Sequence, residues 1–487
     1  MYINKYFVLC ALLFGTVVNS LNAKEPNKPN LVIIHTDEHS FRTLSCYQKL
    51  MSEDQAFIWG KGNNVHTPNI DRIADEGAIC TRYYASSPVC TPSRASLITG
   101  LYPQATGAPK NGDHIRQDIK TFGHILKENG YATSYVGKWH LDGHSKYTFG
   151  IKYKAGFSDN TYMMRGGHAP YLRLKKDGTY EGLGDKAAAK HPKEEIIHMT
   201  DFFTNKTLEI LERDKDQPFC LMLSIPDPHT PDYARPPYNT MYNHMKLKAP
   251  VTMSPELQAK KPMWGKSASE DKNEAFKFNA TALKQYFGMV KHIDDKVGEI
   301  LAFLDENKLT ENTIIVFTAD HGDMFYEHNR RNKGVPYEAS AKIPFVIRYP
   351  KKVKAGKVIK TAYNNIDFAP TVLGLMGVDT KVPFHGIDTS EDFMNNKDVV
   401  EGDRITYFAK TGGWWVAAVD NQYKLVLDKK EKPWLLDIKE DPNELINFYG
   451  KEGYKEIGEK LQKELFIQMK KFKEPGLVGN KTPYVSQ

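Results

Sequence analysis

The sequence predicts an α/β fold: a large, mostly parallel sheet sandwiched by helices, with a smaller C-terminal antiparallel sheet plus helix. Three observations predict it. Short continuous apolar runs alternate with segments of helical periodicity, the pattern of strands buried on both faces and joined by crossover helices. Residues able to do chemistry directly follow these runs, and open α/β sheets gather their ligands at the carboxyl ends of their strands. Near residue 398 the alternation gives way to short strand-like runs separated by turn residues. At 487 residues, with 40% hydrophobic and 26% charged residues, the chain can bury a large core and exceeds one typical domain. The expected division is a signal peptide over 1–23, a catalytic domain over 24–397 and a smaller α+β subdomain over 398–487.

Taken in order, Lys5 supplies a short positive region, residues 7–18 an apolar stretch, and Leu21, Asn22 and Ala23 a cleavage site. These are the parts of a secretory signal, which predicts an exported protein, periplasmic or extracellular. The apolar stretch is shorter than the roughly 20 residues a membrane span requires, so no span is expected after cleavage. Cys10 sits inside it and is not read as a lipid site. Cys46, Cys80, Cys90 and Cys220 remain afterwards, too few for a disulfide framework.

The run 30–36 reads as a buried parallel strand ending at Asp37. Thr67 and Pro68 open a helix, with Thr67 as its cap and Gly77 at its close. A strand over 79–84 leads to the turn at Cys90. A helix over 121–129 stops at Gly130, and the strand 132–136 delivers Gly137, Lys138, Trp139 and His140. Helical periodicity over 194–213 precedes the strand 219–225, which delivers Pro228 and His229. A long helix over 282–307 precedes the strand 313–318, which delivers Asp320 and His321. Residues 142–192 and 230–278 are rich in Gly, Pro, Lys and Tyr with weak periodicity, and read as loops over a site. Arg165, His168, Tyr171 and Arg173 from these loops are placed to touch a sugar. The runs 405–408, 414–419, 423–427 and 434–437 predict the small antiparallel sheet, and 454–472 its helix.

The run Cys90, Thr91, Pro92, Ser93, Arg94 combines a thiol with an arginine at a turn into a helix, which suits a nucleophile that handles an oxyanion. Read alone, the same spacing also fits a buried cysteine at a Pro turn. Asp37, Glu38, Asp320 and His321 form an oxygen-rich set suited to a hard divalent cation, calcium before magnesium, and less to zinc. The formal charge of +7 fits an anionic ligand. No basic run interleaved with stacking aromatics is present, so a nucleic-acid partner is not expected.

Cys90 to Arg94, with the continuation Ala95, Ser96, Leu97, Ile98, Thr99 and Gly100, resembles the signature of the type I sulfatases of the alkaline phosphatase superfamily. Asp37, Gly137 to Leu141, Pro228 with His229, and Asp320 to Gly322 follow in that family's order. The resemblance implies an alkaline phosphatase-like fold and oxidation of Cys90 to formylglycine (3-oxoalanine) by a formylglycine-generating maturation enzyme. A thiolate is a soft partner for a hard cation, and the aldehyde hydrate removes that mismatch: one hydroxyl attacks sulfur, and the other expels sulfate from a covalent sulfo-enzyme intermediate.

By the same resemblance Asp37, Glu38, Asp320, His321 and position 90 would hold the metal, and Arg94 would hold the hydrate. Lys138 and Lys333 would bind sulfate oxygens, His229 would bind substrate and protonate the departing alcohol, and His140 would assist breakdown of the intermediate. Tyr337, Glu338 and Ala339 resemble the family's continuation after Lys333. Two positions depart from the common pattern: Glu38 stands where a second Asp is frequent, and His321 where Asn is common. The expected activity is hydrolysis of a sulfate ester on a carbohydrate or a sulfated polysaccharide fragment. An aryl sulfatase or a phosphonate monoester hydrolase on the same scaffold, and a non-catalytic sulfated-glycan binding protein, are the alternatives. Intact Cys90 and Arg94 argue against the last.

Overall fold

The computed structural model describes residues 28–143, 146–266, 277–411, 413, 415–429 and 431–475. The expected signal peptide, 1–23, lies outside the described residues, as does Cys10. Nine strands form the main sheet: β1 (Asn30–Thr36), β2 (Ala78–Cys80), β3 (Ala132–Lys138), β4 (Met163–Met164), β5 (Phe219–Ile225), β6 (Thr313–Ala319), β7 (Phe345–Arg348), β8 (Lys357–Ile359) and β9 (Val399–Val400). Their spatial order is β9-β8-β2-β7-β6-β1-β5-β3-β4. Only β7 runs against the others.

The continuous apolar runs follow from burial on both sides. Successive strand residues point to opposite faces, so Leu31 and Ile33 enter one core and Val32 and Ile34 another. The first face packs on α2 (Cys90–Thr99), α3 (Phe122–Glu128) and α6 (Phe368–Met376), through residues such as Leu97, Phe122 and Val372. The second packs on α1 (Pro68–Asp75), α4 (Met199–Asp214) and α5 (Ala280–Glu306), through Ile70, Phe203 and Leu301. On α5 the buried Leu283, Phe287, Val290, Ile293, Val297, Ile300 and Leu304 recur at helical spacing, and the Asn279 side chain caps its start by accepting from the Ala282 amide. Gly100 closes α2 at φ 67°, a left-handed turn suited to glycine.

The C-terminal sheet is an antiparallel meander of β10 (Thr406–Ala409), β11 (Trp415–Val419), β12 (Tyr423–Asp428) and β13 (Trp434–Asp437). Phe408, Trp415, Ala417, Val419, Val426 and Leu436 line the face that packs on Tyr84, Trp264, Val335 and Tyr337 of the larger part. Tyr407, Val416, Ala418, Leu425 and Leu427 line the other, which packs on α7 (Lys455–Lys471) through Leu461, Leu465 and Met469. Cys46, Cys80, Cys90 and Cys220 are all buried and free. No helix among the described residues is long and apolar enough to cross a membrane.

Several local expectations are corrected. Thr67 makes no side-chain cap bond; its hydroxyl instead bonds Asp71 and the Ser45 amide. The expected strand 79–84 splits into β2 and the pair Tyr83–Tyr84, which joins Tyr363–Asn364 in a separate two-stranded sheet. The helix expected from 194 begins at Met199, because Ile196–His198 first forms a strand and His198 then caps α4. That strand pairs with Tyr171–Leu174, which pairs with Tyr180–Leu183, so the 142–192 region is not wholly irregular.

Gly137, in β3, has φ 98°, and a Cβ there would lie 1.9 Å from the Ser224 carbonyl oxygen of β5. Gly137→Ala is expected to destabilise the protein by about 2 kcal/mol or more, through strain at positive φ and displacement of β5. A shifted denaturant midpoint at unchanged m-value checks this.

Candidate active site

The parallel strands β6, β1, β5 and β3 are neighbours, so their carboxyl ends deliver Asp320 with His321, Asp37 with Glu38, His229, and Lys138 with His140 to one edge. Cys90 arrives from the first turn of α2. Ligand atoms of Asp37, Cys90, Asp320 and His321 all lie within 4.8 Å of one another, and all four residues are buried. Cys90 Sγ is 3.2 Å from His321 Nε2 and 3.9 Å from Asp37 Oδ1. His321 Nδ1 donates to the Gly322 carbonyl at 2.9 Å, which turns Nε2 toward the cluster. A metal-ligating histidine is commonly oriented this way.

Arg94 joins the strand ends. Its Nε donates to Asp320 Oδ2 at 2.8 Å and Nη2 pairs with Asp37 Oδ2 at 3.3 Å. Its Nη1 reaches the Lys138 carbonyl at 3.0 Å and Ser224 Oγ at 2.7 Å. Lys138 Nζ, fully buried, donates to Asp37 Oδ2. Lys333, expected on a charged run, is largely buried; its Nζ lies 3.0 Å from Glu38 Oε2 and 2.8 Å from His229 Nε2. His229 Nδ1 donates to the Thr230 carbonyl at 2.7 Å, leaving Nε2 toward the site. His140, at φ 59°, interacts with the Cys90 side chain. Trp139 packs edge-on against Tyr135.

Glu38 departs from expectation. It is not in the converging group: its Oε2 is taken by Lys333 and His229, each at 3.0 Å, and its buried Oε1 has no hydrogen-bond partner. Its carboxylate is engaged by these two side chains and not by the group of Asp37, Cys90, Asp320 and His321. Of the loop residues expected over a sugar, only His168 enters the site. Its Nε2 lies 2.5 Å from Lys138 Nζ and 3.3 Å from Asp37 Oδ2, and its ring stacks on His229 with centroids 3.7 Å apart. Arg165 pairs with Asp142, Arg173 with Glu181 and His191, and Tyr171 meets Tyr233.

The electrostatics explain how so many charges share a buried volume. Burial pushes the Asp37 carboxyl up, but Lys138 and Arg94 outweigh it and hold it well below the usual carboxylate range. Burial likewise raises the Cys90 thiol, yet Lys333, Lys138 and His321 together bring it well below the ordinary thiol value. For His321 burial is overcome by Asp320 and Cys90, and its pKa is raised to about 9. Burial and then Lys138 lower His168 to about 3, so it is neutral. Burial and Asp37 raise Asp320. A basic ring thus surrounds an acidic, metal-type cluster, an arrangement that stabilises negative charge on a transferred oxyanion.

Comparison with known proteins agrees with this reading. The sulfatase family profile matches residues 29–378, and a profile described as N-sulphoglucosamine sulphohydrolase, C-terminal, matches residues 326–471. The chain belongs to the sulfatase family: it is a type I sulfatase of the alkaline phosphatase superfamily, a sulfuric ester hydrolase. An N-acetylglucosamine-6-O-sulfatase of Bacteroides thetaiotaomicron is 26% identical, over 96% of this chain and 90% of the relative. An ulvan-active sulfatase of Formosa agariphila is 30% identical, over 95% and 86%. Among solved structures, a protein in complex with its substrate D-glucosamine-2-N,6-O-disulfate superposes with a TM-score of 0.70 at 23% identity, covering 94% of this chain and all of that one.

Arg94→Met is expected to lower stability by about 3–5 kcal/mol, because it leaves Asp37 and Asp320 buried without their shared cation. Chemical denaturation of the purified variant measures it.

Proposed function

We propose that this chain is an exported sulfatase that removes sulfate from a sugar, using formylglycine formed from Cys90 and a calcium-type cation. The observation that carries this is the convergence of position 90 with Asp37, Asp320 and His321 inside a ring of Arg94, Lys138 and Lys333. The donor set fits a hard cation once sulfur at position 90 is replaced by oxygen. Held by Asp37, Asp320, His321 and position 90, the cation would offset charge on the sulfate group. Formylglycine would supply a hydrate with one hydroxyl to attack sulfur and a second to expel sulfate.

The chain's own side chains account for the remaining work. Lys138, beside Asp37, and Lys333, beside Glu38 and His229, supply two ammonium groups suited to bind the oxygens of a tetrahedral anion. Arg94 favours the ionised form of Asp37 and binds Asp320 while joining the strand ends. His229 faces the site with Nε2 and is suited to protonate the departing alcohol, its plane fixed by the Thr230 carbonyl and by the stacked His168. His140, beside Cys90, is placed to assist release of sulfate. Glu38 acts on Lys333 and His229 rather than within the metal shell.

The sugar assignment draws on relatives whose names specify 6-O-sulfated N-acetylglucosamine and ulvan. Export draws on the leader over 1–23. Cys90 is 1% exposed in the folded chain, so a maturation enzyme would have to act before folding is complete.

Release of sulfate from defined sulfated mono- and disaccharides, run beside a phosphonate monoester, tests the activity; preference for the phosphonate overturns it. Cys90→Ala is expected to abolish turnover while leaving the fold intact, by kinetics and circular dichroism. In the active protein the Cys90 peptide is expected to weigh roughly 18 Da less than the encoded one by mass spectrometry. Chelation is expected to lower both activity and Tm, with calcium restoring them, since a bound ion stabilises only the folded state.

A further inference from the structure

The segment that carries Lys333 is held from behind by the C-terminal sheet. Its alternate residues are fixed in two different ways. The backbones of residues 334, 336 and 338 are gripped by polar side chains: Trp415 Nε1 donates to the Gly334 carbonyl at 3.3 Å, Lys424 Nζ to the Pro336 carbonyl at 2.8 Å, and the Glu338 amide to Glu444 Oε2 at 2.7 Å. Val335 and Tyr337 between them pack into the apolar interface with Trp415, Val426 and Leu436. Ser340 closes the turn by accepting from the Gly334 amide at 3.0 Å, and its own carbonyl accepts from the Gly322 amide beside His321.

Lys424 is the unusual member of this set. It lies in β12, on the face that otherwise presents Val426 and neighbouring apolar side chains, and it is fully buried. Three acceptors surround its ammonium group: the Pro336 carbonyl, Glu338 Oε1 at 2.7 Å and Glu444 Oε1 at 2.8 Å. The first two accept hydrogen bonds from Nζ, and Glu444 adds an ion-pair contact. Glu338 is shared with Lys342 at 3.2 Å and with the Tyr84 hydroxyl at 3.1 Å. A buried ion pair adds little net stability compared with an apolar residue of similar size, and the well-attested use of such groups is to specify one arrangement. Here the arrangement specified is the path of residues 334–338.

We infer that Lys424 is a positioning residue for sulfate ester hydrolysis: through the Pro336 carbonyl and Glu338 it fixes the segment that places the Lys333 ammonium between Glu38 and His229. The inference rests on the proposed role of Lys333 as a sulfate-binding group. It makes the C-terminal sheet part of the catalytic apparatus, acting at a distance through one backbone segment.

A double-mutant cycle on the whole chain tests it, with inorganic sulfate as the probe and its Kd measured by calorimetry. Lys333→Ala is expected to weaken sulfate binding by about 30-fold, and Lys424→Met by about tenfold, the loss of a charge-assisted contact or its misplacement. In the Lys333→Ala background Lys424→Met is expected to add less than about twofold, because the group it positions is gone. Equal losses in both backgrounds, or no loss in the single variant, overturn the inference. Unchanged binding in Lys333→Ala overturns the reading of Lys333 instead. If Lys424→Met does not fold, Trp415→Phe keeps the ring and removes the bond to Gly334; the same disappearance of its effect in the Lys333→Ala background is expected, and persistence overturns the inference.

Discussion

The buried guanidinium of Arg94 is the contact on which the rest of the site depends. It touches Asp320 at the end of β6, Asp37 at the end of β1, Ser224 in β5 and the Lys138 carbonyl at the end of β3. Four neighbouring strands are thereby joined through one planar, permanently charged group whose fork suits two carboxylates at once. Without it the acids at two strand ends would repel each other in a volume closed to water. With it they are held close together, and Lys138 adds a second cation beside Asp37. The parallel sheet supplies the common edge, and this cation makes the edge habitable for charge.

Strain accompanies this crowding. Glu38 has φ 60° and His140 φ 59°, left-handed values that non-glycine residues rarely adopt. Each lies just past a strand end, where the chain must turn sharply so that a side chain faces the pocket. Glu38 is held there by its amide, which donates to Asp320 Oδ1 at 3.1 Å, and by its carbonyl, which accepts from the Tyr286 hydroxyl at 2.8 Å. His140 is held by its amide, which donates to the Arg165 carbonyl at 2.8 Å. The cost is distributed into the surrounding fold, the usual arrangement at a functional site.

Much of this was legible in the amino-acid order because doubly buried strands leave an unmistakable trace. The apolar stretches within 30–36 and 219–225 are continuous, and their predicted limits coincide with β1 and β5. Signals failed where local pattern and long-range partner disagree. Residues 79–84 look like one strand, yet Thr81 and Arg82 break it: Arg82 turns toward Glu338, more than two hundred residues away. The chain 194–213 has helical spacing, but Ile196 and Ile197 find a strand partner first. Glu38, His168 and Lys424 could be placed only in part or not at all. A carboxylate, an imidazole and an ammonium acquire meaning from what faces them, and their partners come from other segments of the chain.

The main sheet also has a property that bears on how the protein behaves in concentrated solution. Both of its outermost strands, Met163–Met164 and Val399–Val400, are only two residues long. An exposed strand offers a row of unsatisfied amides and carbonyls onto which another molecule can template. Here each border is too brief for a second copy to grip, and a nine-stranded β core with highly apolar interior strands is thereby shielded from edge-to-edge polymerisation.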